Sequence, residues 1–157
     1  MAAVDTDHVA VRPQCMDRAS PEFVGIPAPP GGRCTAAHFD LHWANLTAPL
    51  RILDWEEWGR APEGFDAATL YAYSLLQVDV AARVRAAFPV LGSPTGLAAE
   101  ATVCTQLLQT VSRGDNLRLK DQLQHCPRNS AVTECATPPC PGRRYRALMR
   151  DGQSVPA

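Results

Sequence analysis

The pattern of apolar and polar positions divides the chain into segments of different character. Residues 1–33 are rich in proline and glycine and follow neither the two-residue period of a strand nor the helical period of about 3.6 residues. They are therefore predicted to form a loop or a poorly ordered lead-in. In residues 34–65, short apolar pieces alternate with polar turns, and Leu50–Leu53 has the composition of a short strand.

Helices are predicted from Asp66 onwards. The first runs from an N-terminal cap at Asp66 to Pro89, and its apolar residues recur three and four positions apart. The second runs from Ser93 to Gly114, with a proline in its first turn. A third, shorter helix is predicted for residues 116–125.

The periodicity disappears in residues 126–157, which carry scattered prolines and cysteines and are predicted to form an irregular tail. The chain thus divides into a lead-in (1–33), an organised unit (34–125) and this tail. The predicted fold class of the organised unit is α+β and mainly helical, with short strands followed by two or three packed helices.

Composition narrows the class of protein. The chain has 157 residues, of which 46% are hydrophobic and 20% charged, as expected for one globular domain. Its net charge of -1 offers no basic surface for a nucleic acid backbone. No apolar run approaches the roughly 20 residues of a membrane span, and the first 30 residues lack an export signal. We therefore predict a cytoplasmic protein that binds neither nucleic acid nor membrane.

The six cysteines leave three interpretations open. They are Cys15, Cys34, Cys104, Cys126, Cys135 and Cys140. In a secreted helical protein they would form three disulfides, but no export signal supports that. His125 and the last three cysteines suggest a zinc site, yet their spacings lack the close cysteine pair of most structural zinc sites. Unpaired thiols are the expectation for a cytoplasmic chain.

The residues with the clearest chemical pattern lie just before the predicted helices. Residues 38–45 have the sequence HFDLHWAN, which places His38, Asp40 and Asn45 in the spacing H-x-D-x-x-x-x-N. The strand-like LRIL then leads into Asp54. Phosphoryl transfer needs an aspartate that takes the proton of the acceptor hydroxyl, and oxygen ligands that hold magnesium against the nucleotide phosphates. The two aspartates and the asparagine among these residues offer both kinds of group.

The longer run HFDLHWANLTAPLRILDWEEWGRAPEGFDAATLY, residues 38–71, resembles the catalytic segment of the aminoglycoside phosphotransferase family. Members of that family carry HGDLHxxN, then a strand ending in I-D-W or I-D-F, then a helix start of the form D-L-A. The resemblance implies the C-terminal lobe of a protein-kinase-like fold. It also implies transfer of the terminal phosphate of ATP or GTP, with Mg²⁺, to a hydroxyl of a small molecule.

The same resemblance implies a role for each residue of the motif. Asp40 is expected to be the catalytic base, and His38 is expected to brace the catalytic loop around it. Asn45 and Asp54 are expected to bind Mg²⁺ and, through it, the nucleotide. Asp66 is expected to hold the following helix in place.

Two departures from the family pattern limit this expectation. Phe39 occupies the position of the family's glycine, and a bulky residue does not share the backbone freedom of glycine. The lead-in has no lysine to clamp a nucleotide, and Arg12, Arg18 and Arg33 present a different donor geometry. We therefore expect a truncated enzyme, weakly active or inactive alone, with a separate N-lobe chain as a partner. The alternative is a non-catalytic relic or interaction module.

The acceptor remains open, because relatives with this loop phosphorylate aminoglycosides, choline, homoserine, macrolides and other hydroxyl compounds. One acidic group, Glu56, Glu57 and Glu63, is predicted to be a solvated turn or a wall suited to a polycation. His42 is predicted to be structural. The tryptophans Trp43, Trp55 and Trp58 are predicted to be packing residues.

Overall fold

A computed structural model describes residues 6–30 and 32–125. Their fold is α+β and mainly helical, as predicted, with five helices and one two-stranded antiparallel sheet in the described residues. The elements are α1 (Pro13–Phe23), β1 (Cys34–Ala37), β2 (Gly59–Pro62), α2 (Phe65–Ala72), α3 (Val78–Ala87), α4 (Pro94–Ser112) and α5 (Lys120–Gln124). The predicted tail of residues 126–157, with all but His125 of the suggested zinc site, lies outside the described residues. Among the described helices, none combines the length and apolar character needed to cross a membrane.

The prediction of a loop for residues 1–33 is wrong at Pro13–Phe23, which forms α1. Proline in the first turn suits a helix start, because its fixed φ is already helical. The helix has few apolar residues and buries Met16, Ala19 and Ser20. It packs on α4, where Ser20 Oγ lies 3.1 Å from Thr105 Oγ1. A helix of this kind is stabilised mainly by its tertiary contacts. The apolar residues of Pro13–Phe23 were too few to predict it from the sequence.

The single helix predicted from Asp66 to Pro89 is wrong, because the chain forms α2 and α3 with a break between them. Ser74 Oγ donates a hydrogen bond to the Leu70 carbonyl at 2.7 Å. This side-chain bond competes with the backbone hydrogen bonds that would continue α2. Gln77 is then extended, with φ -129° and ψ 90°. Asp66 is also not the N-terminal cap, since that position belongs to Gly64, which has a left-handed φ of 92°.

The second predicted helix is confirmed as α4. Ser93 caps it by accepting the Gly96 N–H at 3.1 Å, and a proline occupies the first turn. The helix runs through the core, and its buried face packs against α1, α2 and α5. The third predicted helix is found as a 3₁₀ turn, Leu117–Leu119, followed by α5.

The two strands form a short antiparallel sheet in which Ala37 pairs with Gly59. The connection between them, residues 38–58, carries the HFDLHWAN sequence. The strand predicted at Leu50–Leu53 is wrong, since in this stretch only Ile52 forms a bridge, with Leu46. The segment is an irregular loop that includes a cis peptide bond between Ala48 and Pro49.

The cysteines within the described residues differ in state. Cys15 is free and exposed, as expected for an unpaired thiol. The expectation is wrong for Cys34 and Cys104, both of which are disulfide-bonded.

Candidate functional site

His38 connects the loop after β1 to the segment that precedes Asp54. The ring is fully buried, and its Nε2 lies 2.7 Å from the Leu53 carbonyl. A carbonyl only accepts hydrogen bonds, so Nε2 carries the proton and donates it. Nδ1 is buried without a partner among the described residues, and the edge of Trp55 contacts the ring at 4.7 Å between centroids. His38 therefore ties the loop after β1 to the backbone that precedes Asp54.

Asp66 binds the backbone of the same loop. It lies in the first turn of α2, and its carboxylate accepts the backbone N–H groups of His38 at 2.9 Å and of Phe39 at 3.1 Å. Burial raises the pKa of Asp66, and the two backbone hydrogen bonds lower it by a smaller amount. Both carboxylate oxygens thus accept hydrogen bonds from the loop, so Asp66 does not cap its own helix.

Phe39 adopts a left-handed backbone conformation of the kind that glycine adopts readily. Its φ is 79°, in the left-handed region that side chains with a Cβ rarely occupy. Two contacts offset the cost: the hydrogen bond to Asp66 and a parallel stack on Phe65, with ring centroids 5.1 Å apart and an interplanar angle of 4°. These contacts therefore hold the turn at Phe39 at the expense of local strain.

Asp40 is oriented by two side chains of its own loop. Asn45 Nδ2 donates to Asp40 Oδ2 at 3.1 Å and to the Asp40 carbonyl at 2.9 Å. His42 Nε2 lies 3.3 Å from Asp40 Oδ2. His42 Nδ1 accepts the N–H of Ala44 at 3.2 Å, so the ring proton is on Nε2 and points at Asp40. The Asp40 side chain is 43% exposed, so its carboxylate is accessible to a substrate.

His42 and Tyr73 are site residues that the sequence argument missed. The His42 ring contacts the Tyr73 ring at 4.9 Å between centroids. Burial raises the pKa of Tyr73, and the negative charge of Asp40 raises it further, while a hydrogen bond with Asn116 lowers it. Tyr73 belonged to the predicted apolar stripe of one long helix, and only the end of α2 after Ala72 turns it towards the loop. The signal available for His42 was its place two residues after Asp40.

Asn45 and Asp54 lie on adjacent segments of this loop. The Asn45 carbonyl accepts the Leu53 N–H at 2.9 Å, so the residue before Asp54 is fixed against the 3₁₀ turn Trp43–Asn45. Asp54 is exposed and has a φ of 59°, a conformation that aspartate tolerates better than most residues. Because Asn45 Nδ2 donates to Asp40, its Oδ1 is the amide atom left for a cation.

This donor set fits one class of metal. Among the described residues, no group of three His, Cys, Asp or Glu side chains could hold a metal ion. A protein-cage metal such as structural zinc therefore does not fit the described part of the chain. Mg²⁺ fits, because it takes oxygen ligands, retains several waters and is commonly bound through one or two carboxylates together with substrate phosphates. Asn45 and Asp54 supply an amide oxygen and a carboxylate.

A groove of about 670 Å³ lies beside the loop. Trp43 lines it and donates its Nε1–H to Ser74 Oγ at 3.0 Å, which joins the 3₁₀ turn to the end of α2. Trp43 and Trp55 are 47% and 40% exposed, so each is only partly packed, Trp55 against the His38 ring. In the acidic group, Glu56 and Glu57 lie exposed in a turn. In Glu63, the third member, Oε2 lies 3.9 Å from Arg33 Nε.

Comparison of the chain with family models, with curated proteins and with solved structures found no match.

Proposed function

We propose that this chain is a phosphotransferase of the aminoglycoside kinase type, built on a protein-kinase-like C-terminal lobe. The observation that carries the proposal is the pair of hydrogen bonds on Leu53. The Leu53 carbonyl accepts a hydrogen bond from His38 Nε2, and the Leu53 N–H donates one to the Asn45 carbonyl. The backbone that leads into Asp54 is therefore tied to the loop of Asp40. On this proposal the tied loop offers Asp40 as the base and Asn45 and Asp54 as the oxygen ligands.

Asp40 is the proposed general base. The bonds from Asn45 and His42 engage Oδ2, which leaves Oδ1 to accept the proton of a substrate hydroxyl. His38 and Asp66 are positioning residues that fix the backbone on which Asp40 stands. A base held in this way contributes roughly 100- to 10,000-fold to the rate.

Asn45 Oδ1 and the Asp54 carboxylate are the residues that would hold Mg²⁺ with the phosphates of ATP or GTP. When bound, the ion neutralises charge on the phosphates and orients the terminal one. The contribution of the chain is geometric. The Asn45–Leu53 bond holds the backbone before Asp54 against the segment that carries Asn45, and Asp54 itself has a left-handed φ of 59°.

A non-catalytic interaction module is the second candidate function. Phe39 stands where the family has glycine, and its turn is held by stacking on Phe65. The contacts among Asp40, His42 and Asn45 would also hold the loop in shape in a protein that had lost its activity. This candidate predicts a folded loop that responds to neither nucleotide nor metal.

Paramagnetic NMR separates the two candidates. Mn²⁺ takes the place of Mg²⁺, and a titration of the full chain with Mn²⁺ and ATP should broaden the amide signals of residues 40–45 and 54 before others. Asp54→Asn should remove this selectivity, since asparagine tolerates the same backbone conformation but lacks the charge. Asp115→Asn, at an exposed aspartate in the turn after α4, is the matched control and should behave as wild type.

Two outcomes would refute the proposed function. One is uniform broadening that Asp54→Asn does not change. The other concerns turnover: if phosphate transfer to any hydroxyl compound is detected, Asp40→Asn should reduce it by at least roughly 100-fold. An unimpaired Asp40→Asn variant would remove the assigned base.

A further inference from the structure

We propose that the groove between Trp43 and α3 binds the apolar body of a small acceptor molecule whose polar group is neutral or anionic. The assignment of this molecule as acceptor rests on the proposed function, whereas the binding itself does not. Such a ligand differs in charge from the polycations that the acidic-wall hypothesis anticipated.

The size and lining of the groove suit a small organic molecule. Its volume of about 670 Å³ falls within the range of roughly 300–1,000 Å³ that is typical of small-molecule sites. Apolar side chains form most of the surface, chiefly Leu70, Val80, Val84 and Phe88. Aromatic and aliphatic walls of this kind bind ligands mainly by burying their apolar area.

Several apolar side chains in and beside the groove are exposed to water. This exposure is unfavourable, and the packing of the fold gives no reason for it. Trp43 and Phe88, which line it, are 47% and 37% exposed, and the nearby Leu76 and Val78 are 45% and 78% exposed. Exposed apolar side chains that cluster in one place mark binding surfaces more often than chance positions do. A ligand that covered Trp43 and Phe88 would remove apolar area from water.

Charge selects the kind of ligand. Gln77 and Arg83 are polar lining residues with exposed side chains, and none of the described residues that line the groove is acidic. Ser74 Oγ is already engaged with Trp43 and Leu70. Among the described lining residues, a polycation would therefore meet no carboxylate and one guanidinium that repels it, whereas an acid or an alcohol would find donors in Arg83 and Gln77.

The position of the groove links it to the catalytic loop. Trp43 belongs to both, since it follows His42 in the loop and bonds to Ser74 at the end of α2. The preceding residue, Tyr73, contacts His42 and is close enough to Asp40 for its charge to raise the pKa of the phenol. A molecule seated against Trp43 would thus place one end beside the proposed base.

A matched set of probes tests the inference. The probes are 1-naphthylacetate, 2-(1-naphthyl)ethanol and 1-naphthylmethylammonium, which share an apolar body and differ in charge. Each is titrated into the full chain without nucleotide, and the indole N–H signal of Trp43 and the amide signals of α3 report binding by NMR. The acetate should bind about two- to fivefold more tightly than the ammonium, as expected for one exposed charge.

Two pairs of variants locate the site. Ala87→Trp fills the groove and should abolish binding, whereas Ala82→Trp, at an exposed alanine of the same helix that does not line the groove, should not. Arg83→Glu should reverse the order of the acetate and the ammonium. Arg118→Glu, at an exposed arginine outside the groove, is its control and should leave the order unchanged.

The outcomes separate this inference from the proposed function. Absence of Trp43 and α3 shifts up to the solubility limit of the probes overturns the groove as a binding site, whatever the Mn²⁺ titration shows. Tighter binding of the ammonium overturns the charge assignment. Self-association of the chain that Ala87→Trp abolishes makes a second copy the occupant and overturns the proposal. Groove binding combined with no Mn²⁺–ATP effect at the loop overturns the acceptor role.

Discussion

Asp66 is the residue through which the geometry of the catalytic loop can be tested most directly. Its carboxylate accepts the N–H groups of His38 and Phe39, at 2.9 and 3.1 Å. Asp66→Asn keeps the size of the side chain but replaces one acceptor oxygen with an NH₂ group. That group faces a backbone N–H, so one hydrogen bond is lost and a partly buried donor is left without a partner.

The expected loss of stability follows from these two terms. A hydrogen bond to a charged group contributes about 1.5–3 kcal/mol, and an unsatisfied buried donor costs about 1–3 kcal/mol. Part of this is offset, because burial disfavours the charged carboxylate and raises the pKa of Asp66. We expect Asp66→Asn to lower the free energy of unfolding by about 2 kcal/mol, a large share of the roughly 5–15 kcal/mol of a typical domain.

The dependence on pH gives a second signature. The pKa of Asp66 in the folded chain is raised above its ordinary value of about 3.8. The folded state therefore binds the proton more tightly than the unfolded state, and wild type gains stability as the pH falls through the raised pKa. The gain is complete below about 3.8, the unfolded value. Asp66→Asn lacks this contribution, so its deficit relative to wild type should grow on acidification.

Urea unfolding at several pH values measures both effects, and native-state hydrogen exchange of the His38 and Phe39 amides reports the loop itself. Both amides should exchange faster in Asp66→Asn. Asp115→Asn, at an exposed aspartate, should stay within about 0.5 kcal/mol of wild type. The reasoning is refuted if Asp66→Asn is as stable as this control and protects the two amides as well as wild type does.

Two further predictions concern neighbouring residues. At Phe39, which has a φ of 79°, the glycine variant should be more stable than the alanine variant by about 1 kcal/mol, because glycine avoids the left-handed penalty, and urea unfolding measures the difference. Both variants should be less stable than wild type, because the stack on Phe65 is lost; equal stability of the two variants would contradict the strain assigned to this turn. For Tyr73, whose pKa is raised by burial and by Asp40, Asp40→Asn should shift the phenol titration to lower pH in ¹³C NMR. An unchanged titration would mean that the two side chains do not interact.

Several features of the fold were predictable because their causes are local. The start of α4 depends on Ser93, on the proline after it and on an apolar pattern within the helix, all of which are visible in the sequence. The division between α2 and α3 was not predictable in this way. Apolar residues continue at helical spacing across it, but Ser74 bonds to Leu70 and to Trp43, a contact with a segment 31 residues away.

The residues of the site also divide into those that the sequence predicted and those that it did not. The spacing of His38, Asp40 and Asn45 identified the loop, since a short loop places such residues close together whatever the rest of the chain does. The use of Asp66 was misjudged, because aspartate at the start of a helix usually caps it. In the structure, the loop's two N–H groups compete for the carboxylate and bind it.

The sequence by itself determined the chemical composition of the loop, the course of α4 and the α+β, mainly helical class, because these follow from residue spacing and local hydrogen bonding. Tertiary structure alone decided that Pro13–Phe23 is helical, that Tyr73 stands beside His42, and that Leu53 joins His38 to Asn45. These arrangements depend on burial and on hydrogen bonds between residues distant in the chain. Their energies appear only when the segments pack, so no local pattern encodes them.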